Sequence, residues 1–448
     1  MLEHLPLIVF LVTFVLIFVL RMPIPAGMIA ACTLYFLTDG LIKGVGFGAL
    51  ITGAGGSLHL VAQKTIEAIF TNGTIVAVPL FIFAANVMNA GKITEYVFGT
   101  CMGLVGRFRG GLAHVNVLVS LLFGGVSGSA VADTSGIGTV LIPSMIKKRY
   151  TKSFSVAVTA TSSVLGQIIP PSLIMIIYAS TANASVQALF IAGILPGILF
   201  ALAMMLVSYV YALIYDYPRE EKRSFHDFLH AVKESFLVLL MPVIIIGGVL
   251  SGVCTATESA VIAVIYSLII TLFVTKTLTF KDLIPLFIDT AKGTATSLLC
   301  IGAASSFGYL VSYFRTSVYV QQMMEAMQLG QIGYILFVTM LFMVLGCFMD
   351  ATPAIAIFVP IVLPAGLALG LHPVHIGMII CLVLALGMVT PPYGLCLLLG
   401  CQIAKIEPQK TFKDLFIMLG AVIVVYFIVV LLPDLVLWLP RLLVPKYV

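Results

Sequence analysis

Charged residues are scarce in this 448-residue chain, because they make up only 9% of it, against roughly 25% in an average soluble domain. The sequence also lacks any polar stretch of domain length, and apolar runs recur along almost its whole length. Hydrophobic residues account for 61% of the chain. These features exclude a soluble globular protein and predict one all-α polytopic membrane domain over residues 1–448.

Motifs of several other protein classes are missing. The eight cysteines are scattered singly, with no CxxC pair, and are interpreted as packing residues. The glycine-rich segments 44–48 and 136–138 lack the strand-turn-helix context of a nucleotide site. The net charge of +5 arises from basic residues in short loops between apolar runs, so it does not indicate a nucleic-acid partner.

No enzyme constellation emerges from the sequence. Residues 125–129 lack the final glycine of a nucleophile elbow, and no histidine is placed to activate a serine. The enzymatic alternative is an intramembrane protease in which Asp133 and Asp350 meet as a dyad. Neither aspartate follows the Gly-x-Gly expected beside such a nucleophile. We therefore expect a protein that is not an enzyme and that uses no cofactor.

Eleven apolar runs are long enough to cross a bilayer. They lie at about 5–20, 23–39, 44–62, 74–91, 153–182, 186–217, 234–250, 258–275, 282–312, 376–404 and 411–432. Two further apolar stretches, 112–145 and 333–370, are interrupted near their middle by small or polar residues. Each of these two forms either two full spans or a re-entrant hairpin whose tip stops inside the bilayer.

An internal repeat relates the two halves of the chain at a shift of 221 residues. The shift superposes Pro143 on Pro364, Leu165-Gly166 on Leu386-Gly387, Pro170-Pro171 on Pro391-Pro392, and the interruption 127–129 on 348–350. We interpret this pattern as a tandem duplication of a hairpin followed by a helix that a proline pair breaks.

Loop charges predict that the two repeats have opposite orientations. Segment 147–152 after the first hairpin is strongly basic, whereas segment 368–373 after the second has no Lys or Arg. The loops after the broken helices reverse this pattern, because 183–192 is uncharged and 405–413 carries three lysines. Re-entrant hairpins keep the basic loops 147–152, 219–233, 276–281 and 405–413 on one side, which the positive-inside rule assigns to the cytoplasm.

The proline pairs have a physical use inside a membrane. They remove backbone N–H donors, so a continuous helix cannot run through them. Carbonyls freed in this way at membrane depth survive only where protein or a water-filled cavity receives them. In secondary transporters built from inverted repeats, broken helices coordinate a coupling ion and substrate. The alternative is that the prolines only kink two helices for packing.

Neutral oxygens beside each break predict sodium sites, because such ligands suit a small hard cation. The first set comprises Ser127, Ser129, Pro170, Pro171 and Ser172. Repeat symmetry predicts a second set around Asp350, Thr352, Met388, Thr390 and Pro391.

Two aspartates near the hairpin tips are candidates for ion binding or gating, since a carboxylate inside a bilayer is costly and usually functional. Asp133 has the alternative of capping a helix that begins near Thr134, and Asp350 before Thr352-Pro353 has the same alternative.

Four further polar residues are candidates for contacts with the substrate. Arg315 is a lone cation in an apolar neighbourhood that could meet a carboxylate, or could snorkel to the interface. Ser180, Thr181 and Asn183 follow the first broken helix and could hydrogen-bond a substrate, although ordinary loop polarity also explains them.

The segments FGGVSGSAVAD (123–133), QIIPPS (167–172) and GMVTPP (387–392) together carry a family resemblance. Over essentially its full length the chain resembles the DctM-like large membrane subunit of the tripartite ATP-independent periplasmic (TRAP) transporters. The resemblance implies eleven transmembrane helices and two helical hairpins in an inverted-repeat, elevator-type arrangement. It also implies sodium-driven uptake of an organic acid without ATP hydrolysis, and the chain has no Walker motif.

The resemblance implies a division of the chain into a moving transport domain and a fixed scaffold. The division assigns 1–91 to the scaffold with the first helix of repeat 1, 92–111 to an arm helix, 112–182 to hairpin 1 and its broken helix, 183–296 to the scaffold, 297–332 to the end of the first helix of repeat 2 with its arm, 333–404 to hairpin 2 and its broken helix, and 405–448 to a C-terminal scaffold helix. The arm helices are expected within 93–111 and 313–331, at the membrane interface.

Partners and sites follow from the same resemblance. A small four-helix (DctQ-like) membrane subunit, expected as a separate chain, and a periplasmic (DctP-like) binding protein would act with this chain in the bacterial inner membrane. One sodium ion would lie near Ser127, Ser129 and the first proline pair, and another near Gly346, Asp350, Met388 and Thr390. The organic acid, such as sialic acid or a C4-dicarboxylate, would lie between the hairpin tips. An ion channel, an exchanger that works without a binding protein, and a membrane hydrolase stay as alternatives.

Overall fold

The computed structural model describes residues 5–19, 22–45, 58–71, 73–91, 93–220 and 225–447, and within these ranges every regular element is a helix. In chain order the helices are α1 (Leu5–Val19), α2 (Ile24–Ile42), α3 (Leu58–Phe70), α4 (Ala77–Ala90), α5 (Ile93–Val105), α6 (Gly111–Ser127), α7 (Ala130–Lys147), α8 (Lys152–Ser163), α9 (Leu165–Ile168), α10 (Leu173–Ala182), α11 (Val186–Ile214), α12 (Phe225–Leu250), α13 (Ala256–Ile269), α14 (Leu283–Tyr313), α15 (Thr316–Ala326), α16 (Gln331–Phe348), α17 (Ala351–Ala368), α18 (Pro373–Gly387), α19 (Leu395–Ala404), α20 (Phe412–Leu431) and α21 (Pro433–Leu443). A π-helical turn, Ile270–Val274, extends α13, and 3₁₀ turns at Phe280–Asp282 and Pro408–Thr411 precede α14 and α20.

Eight of the described helices are long and apolar enough to span a membrane, or up to ten spans if each of two bent helix pairs counts as one. The predicted polytopic all-α class is therefore confirmed. The predicted run at 44–62 falls largely outside the described residues, and α3 begins only at Leu58. The first bent pair joins α4 to α5 at 76°, and the second joins α8 and α9 to α10 at 42°.

Both predicted arm segments contain a short helix. α5 turns away sharply from α4, and its Thr100 hydroxyl bonds the Ala231 carbonyl of α12 at 3.0 Å. α15 begins at Thr316, directly after α14 ends at Tyr313, and runs to Ala326. Each helix is the last element before a hairpin, which is where a connecting arm is expected.

The 221-residue repeat is present in the helix boundaries. The shift maps Ala130–Lys147 onto Ala351–Ala368, which are the observed bounds of α7 and α17. It also maps the N-cap Ser129 onto the N-cap Asp350, and the N-cap Thr151 onto the N-cap His372. Each hairpin, α6–α7 or α16–α17, turns through two residues, and both proline pairs contain a cis peptide bond.

Contacts between the repeats show that they run in opposite directions. The Tyr178 hydroxyl near the end of α10 donates to the Pro373 carbonyl at the start of α18, at 2.7 Å. The second broken helix therefore begins at the end of the molecule where the first one finishes. α7 packs beside α19 in the same direction, because Cys396 lies beside Thr134 near their starts and Ile403 lies against Gly138 farther along.

Three of the four basic segments gather at one end of the molecule. Lys148 pairs with Glu220 at 3.1 Å, Thr151 bonds Tyr217 at 3.2 Å, and Tyr211 of α11 donates to Asp414 of α20 at 3.0 Å. These contacts join the loops after α7, α11 and α19, which loop charges assigned to the cytoplasmic side. The opposite end holds the α10–α11 loop and the α17–α18 loop.

The two broken helices form the centre of the core. Every residue of α18 from Val374 to Gly387 is buried, as are nearly all residues of α8 and α9. α12 and α14 instead expose large apolar side chains, among them Phe236, Val243 and Phe287. Such faces suit lipid or another membrane subunit.

Candidate functional site

The first hairpin tip lies directly against the first helix break. α6 ends at Ser127, and Gly128 adopts the left-handed conformation with φ of 62°. A Cβ at Gly128 would lie 2.7 Å from the carbonyl oxygen of Pro171. Glycine meets both requirements at this point, because it lacks the Cβ that a positive φ and a close backbone approach exclude.

The first break supplies carbonyl oxygens that no helix uses. The described residues include no backbone N–H that donates to Pro170 or Pro171, although both prolines are buried. The Pro171 oxygen faces Gly128, and the Pro170 oxygen lies 3.4 Å from the Cβ position of Gly125. Ser172 caps α10 by accepting from Met175 N at 3.4 Å, and its own hydroxyl donates to the Gln167 carbonyl.

Asp133 lies one turn inside α7 and is completely buried. Its Oδ1 accepts a hydrogen bond from the Ser127 hydroxyl, and its Oδ2 has no partner within the described part of the chain. The interpretation that Asp133 caps a helix near Thr134 is wrong. α7 begins at Ala130, and its N-cap is Ser129, which accepts from Ala132 N at 3.5 Å. Ser129 precedes Asp133 in the chain, and the helix already begins after this serine, so Asp133 lies within the first turn rather than at the cap.

Asp350 has the capping role that Asp133 lacks. It is the N-cap of α17, and its Oδ2 accepts from Thr352 N at 3.3 Å. Asp350 is exposed, in contrast to Asp133. Below the tip, Gly346 meets Gly387 of α18 so closely that a Cβ at Gly387 would lie 2.7 Å from Gly346 Cα. Hairpin 2 therefore rests on the end of α18 as hairpin 1 rests on the first break.

The second break also presents free oxygens. The Thr390 hydroxyl donates to Leu386 O at 2.9 Å, while no N–H of the described backbone donates to the carbonyls of Val389 or Thr390. These two oxygens lie 3.0 and 3.2 Å from the Cβ position of Gly394, whose φ of 34° favours glycine. Val389 and Gly394 were not predicted site residues, although the repeat shift places them opposite Ile168 and Leu173.

One side chain connects the two breaks. Gln167 Nε2 donates to the Met388 sulfur at 3.0 Å, and these two residues are separated by 221 positions. They are therefore equivalent positions of the two repeats that meet in space. Gln167 is 5% exposed, and its Oε1 has no partner among the described residues.

Both hairpin tips line a single cavity of about 790 Å³. Ser127, Ser129 and Gln167 lie on its wall from repeat 1, and Asp350 and Thr352 from repeat 2. The opposite wall belongs to α4 and α14, which place Asn86, Asn89 and Asp289 in the lining. The cavity extends along α7 and past the end of α4 to Glu95, toward the end of the molecule that carries the basic loops.

The four further polar residues that were predicted to contact the substrate lie outside the cavity between the hairpin tips. Ser180 and Thr181 line a separate cavity of about 450 Å³ with Lys64 of α3. Asn183 is the left-handed C-cap of α10 and lines a third, open cavity near Tyr447. Arg315 is exposed at the junction of α14 and α15. The structure does not bring these residues to the cavity between the tips, and their contacts with a substrate stay predictions.

The donor set at the two breaks suits a hard cation better than a transition metal. Hydroxyl and carbonyl oxygens dominate both breaks, which is the ligand type that hard cations prefer. In the described ranges, no group of three or more His, Cys, Asp or Glu side chains is arranged to hold a metal ion.

Comparison with known proteins identifies the family. The model of the "Tripartite ATP-independent periplasmic transporter, DctM component" family matches residues 10–438. The sialic acid TRAP transporter large permease protein SiaM of Vibrio cholerae is 34% identical over 86% of this chain and 90% of its own length. The C4-dicarboxylate TRAP transporter large permease protein DctM of the same species is 31% identical over 86% of this chain and 90% of its own.

A solved structure supports the fold. The YdaH transporter of Alcanivorax borkumensis superposes with a TM-score of 0.63, covers 95% of this chain and 97% of its own length, and is 14% identical in sequence. That likeness concerns the fold alone. The family match and the two permeases carry the assignment: the chain belongs to the DctM component family of TRAP transporters, multi-pass proteins of the bacterial inner membrane.

Proposed function

We propose that this chain is the translocating subunit for sodium-coupled uptake of an organic acid. The observation that carries the proposal is the single cavity that both hairpin tips line, beside two helix breaks with unused carbonyl oxygens. Two relatives, SiaM and DctM, are named for sialic acid and C4-dicarboxylates, and both of these substrates are organic acids.

The first sodium site would form between hairpin 1 and the break at Pro170-Pro171. The carbonyl oxygens of both prolines face the tip, and Ser127 and Ser129 add hydroxyl oxygens on the other side. The buried Asp133 holds the Ser127 hydroxyl in place. A cation here would offset the cost of enclosing these oxygens without donors.

The second sodium site would form at the break after α18. It would use the carbonyls of Val389 and Thr390 with oxygens of the tip at Asp350. Gly346 would help to form this site, since it meets Gly387 and so brings hairpin 2 against the break. Met388 and Pro391 would contribute through their backbones. The two sites would then be related by the repeat, as the helices are.

The substrate would lie in the cavity between the tips. α7, α10 and α17 all begin at the hairpin tips or the first break, and residues at all three helix starts line this cavity. The partial positive charge of helix N-termini favours a carboxylate. Each sodium ion that enters down a potential of about 100 mV contributes about 2.3 kcal/mol to uptake before its gradient is counted.

Transport would proceed by an elevator movement. The hairpins and broken helices pack into one intertwined unit, whereas α4 and α14 supply the facing wall of the cavity. α5 and α15 would act as arms that link this unit to the scaffold. Because the cavity extends from the tips toward the basic end, the structure would correspond to the state that releases substrate into the cytoplasm.

Two partners complete the proposed transporter. The tripartite family name supports a small membrane subunit and a periplasmic binding protein beside this chain. We propose a four-helix membrane subunit and a binding protein that delivers the organic acid at the side opposite the basic loops.

Sodium binding is tested without substrate or partners. Thermal unfolding of the purified chain in detergent would be followed as sodium replaces choline at constant ionic strength. A ligand that binds only the folded state stabilises it by mass action, by about 1.4 kcal/mol for each tenfold excess over the dissociation constant. We expect a saturable rise in Tm that is specific to sodium.

Two serines of hairpin 1, Ser127 at the end of α6 and Ser144 in α7, give a matched comparison. Ser127→Ala removes a hydroxyl of the proposed site and should weaken the apparent sodium affinity at least tenfold. Ser144→Ala removes a hydroxyl that only bonds the Val140 carbonyl of its own helix, and should leave the affinity unchanged. An absence of any sodium-specific rise in the wild type up to several hundred millimolar would refute sodium coupling.

A further inference from the structure

Gln167 is a buried polar side chain in the cavity wall that the proposed ion sites do not use. It lies on α9, between the two hairpin tips, and is only 5% exposed. Its amide nitrogen is occupied by the Met388 sulfur at 3.0 Å. Its amide oxygen has no hydrogen-bond partner among the described residues.

The chemistry of Met388 fixes which way the amide points. A thioether sulfur accepts hydrogen bonds and donates none, so the amide nitrogen must face it. The oxygen is then the group left for a ligand. A buried amide oxygen without a donor is destabilising, and a ligand that brings a hydroxyl or N–H removes that cost.

The charges around the cavity constrain the rest of the ligand. Three carboxylates, Glu95, Asp289 and Asp350, lie in the lining, and no Lys, Arg or His from the described residues joins them. A second carboxylate on the substrate would therefore find no basic side chain to neutralise it. Neutral donors and acceptors are plentiful instead, because Asn86, Asn89 and several hydroxyl groups also line the cavity.

We propose that Gln167 determines substrate specificity: its amide oxygen accepts a hydrogen bond from a hydroxyl or N–H group of the transported acid. The preferred substrate is then a monocarboxylate that carries hydroxyl or N–H groups, rather than an unsubstituted dicarboxylate. This inference rests on the proposed uptake of an organic acid and narrows the class of acid.

The test is a binding comparison on the full chain in saturating sodium. Five probes are titrated by thermal shift: lactate, gluconate and N-acetylneuraminate as hydroxylated monocarboxylates, propionate as the unsubstituted monocarboxylate, and succinate as the unsubstituted dicarboxylate. A site built around a polar contact rejects ligands that leave it unpaired. We expect at least one hydroxylated acid to bind at least tenfold more tightly than both propionate and succinate.

Variants then assign this preference to Gln167. Gln167→Leu and Gln167→Met keep the apolar bulk of the side chain but remove its amide oxygen. Each should lower the affinity for the preferred acid at least fivefold while leaving the sodium shift, which is the rise in Tm that sodium alone produces, unchanged. Ser144→Ala is the control, because Ser144 of α7 lies outside the lining of this cavity and its hydroxyl bonds the Val140 carbonyl of its own helix at 2.6 Å. Its affinity should stay within twofold of wild type.

Four outcomes would overturn the inference. The first is that succinate binds as tightly as the hydroxylated acids or more tightly, and the second is that no hydroxylated acid binds. The third is that both Gln167 variants keep the preference of the wild type. The fourth is that both variants lose the sodium-dependent rise in Tm, which would make Gln167 an ion ligand or a structural residue. The sodium titration without acid is read separately. Failure of sodium coupling is therefore distinguishable from failure of the Gln167 assignment.

Discussion

Replacing Gly387 by alanine should separate hairpin 2 from the end of α18. The added Cβ would lie 2.7 Å from Gly346 Cα and 2.8 Å from Gly346 C. Ordinary carbon contacts are about 3.5–4.0 Å, so one of two helix backbones must move by about 1 Å. Overpacking of this kind costs about 1–3 kcal/mol, of which the better helix propensity of alanine returns up to about 1 kcal/mol.

Thermal unfolding in detergent measures the net loss, which we expect to be about 1–2 kcal/mol. The control is Gly420→Ala in α20, where nothing lies within 4 Å of the added Cβ. That variant should be as stable as wild type or up to about 1 kcal/mol more stable. Because the displaced hairpin carries Asp350, Gly387→Ala should also weaken the sodium shift. A Gly387→Ala protein with the Tm and sodium affinity of wild type would refute the role given to this contact.

Two further predictions concern the contacts that define the inverted repeat. Tyr178→Phe removes the hydrogen bond to the Pro373 carbonyl and should lower the free energy of unfolding by about 0.5–1.5 kcal/mol. The control is Tyr319→Phe on the exposed face of α15, which should change the free energy of unfolding little. Equal Tm values for the two variants would contradict the prediction for Tyr178. His372, in the loop before α18, accepts from Val374 N at 3.2 Å, and burial followed by the charge of Arg441 lowers its pKa from 6.5. The folded state thus favours neutral His372, so its contribution is present above pH 6.5 and is lost as the pH falls below that value toward the lowered pKa. His372→Asn keeps a cap side chain and should show a smaller loss of Tm between pH 7.5 and 5 than wild type, and identical slopes would count against this assignment.

The repeat and its hairpins were predictable because they depend on backbone conformations that proline, glycine and helix-capping residues determine directly. Proline pairs stop helices wherever they occur, and glycines at the tip and the break permit close approach. The N-caps Ser129 and Asp350 are both residue types that favour helix starts, and they lie 221 residues apart. Loop charge then supplied the relative orientation of the repeats, which the contact of Tyr178 with Pro373 confirms.

The distribution of polar residues around the cavity was not predictable in the same way. Ser180 and Thr181 follow the first break by only a few positions, but helix α10 carries them away from the tips at about 1.5 Å per residue. Conversely, Gln167 meets Met388 across the repeat axis. The 221-residue period marks the two as equivalent positions, but it does not say that equivalent positions meet in space. Asn86 and Asn89 lie within the apolar run 74–91 and were not predicted to line the site. Two amide side chains in one apolar span are the feature of the sequence that indicates such a role.

The packing of α7 beside α19, and of α10 near α18, has a consequence for the origin of this fold. Each hairpin repeat buries part of its surface on the opposite repeat, so a single repeat alone would leave that part without a partner. In a single-repeat protein, the same contacts would need two copies of one short chain inserted in opposite directions and joined as a dimer. One polypeptide that carries both repeats holds the two orientations together. The lysines in different loops of the two halves then favour one insertion direction for each half.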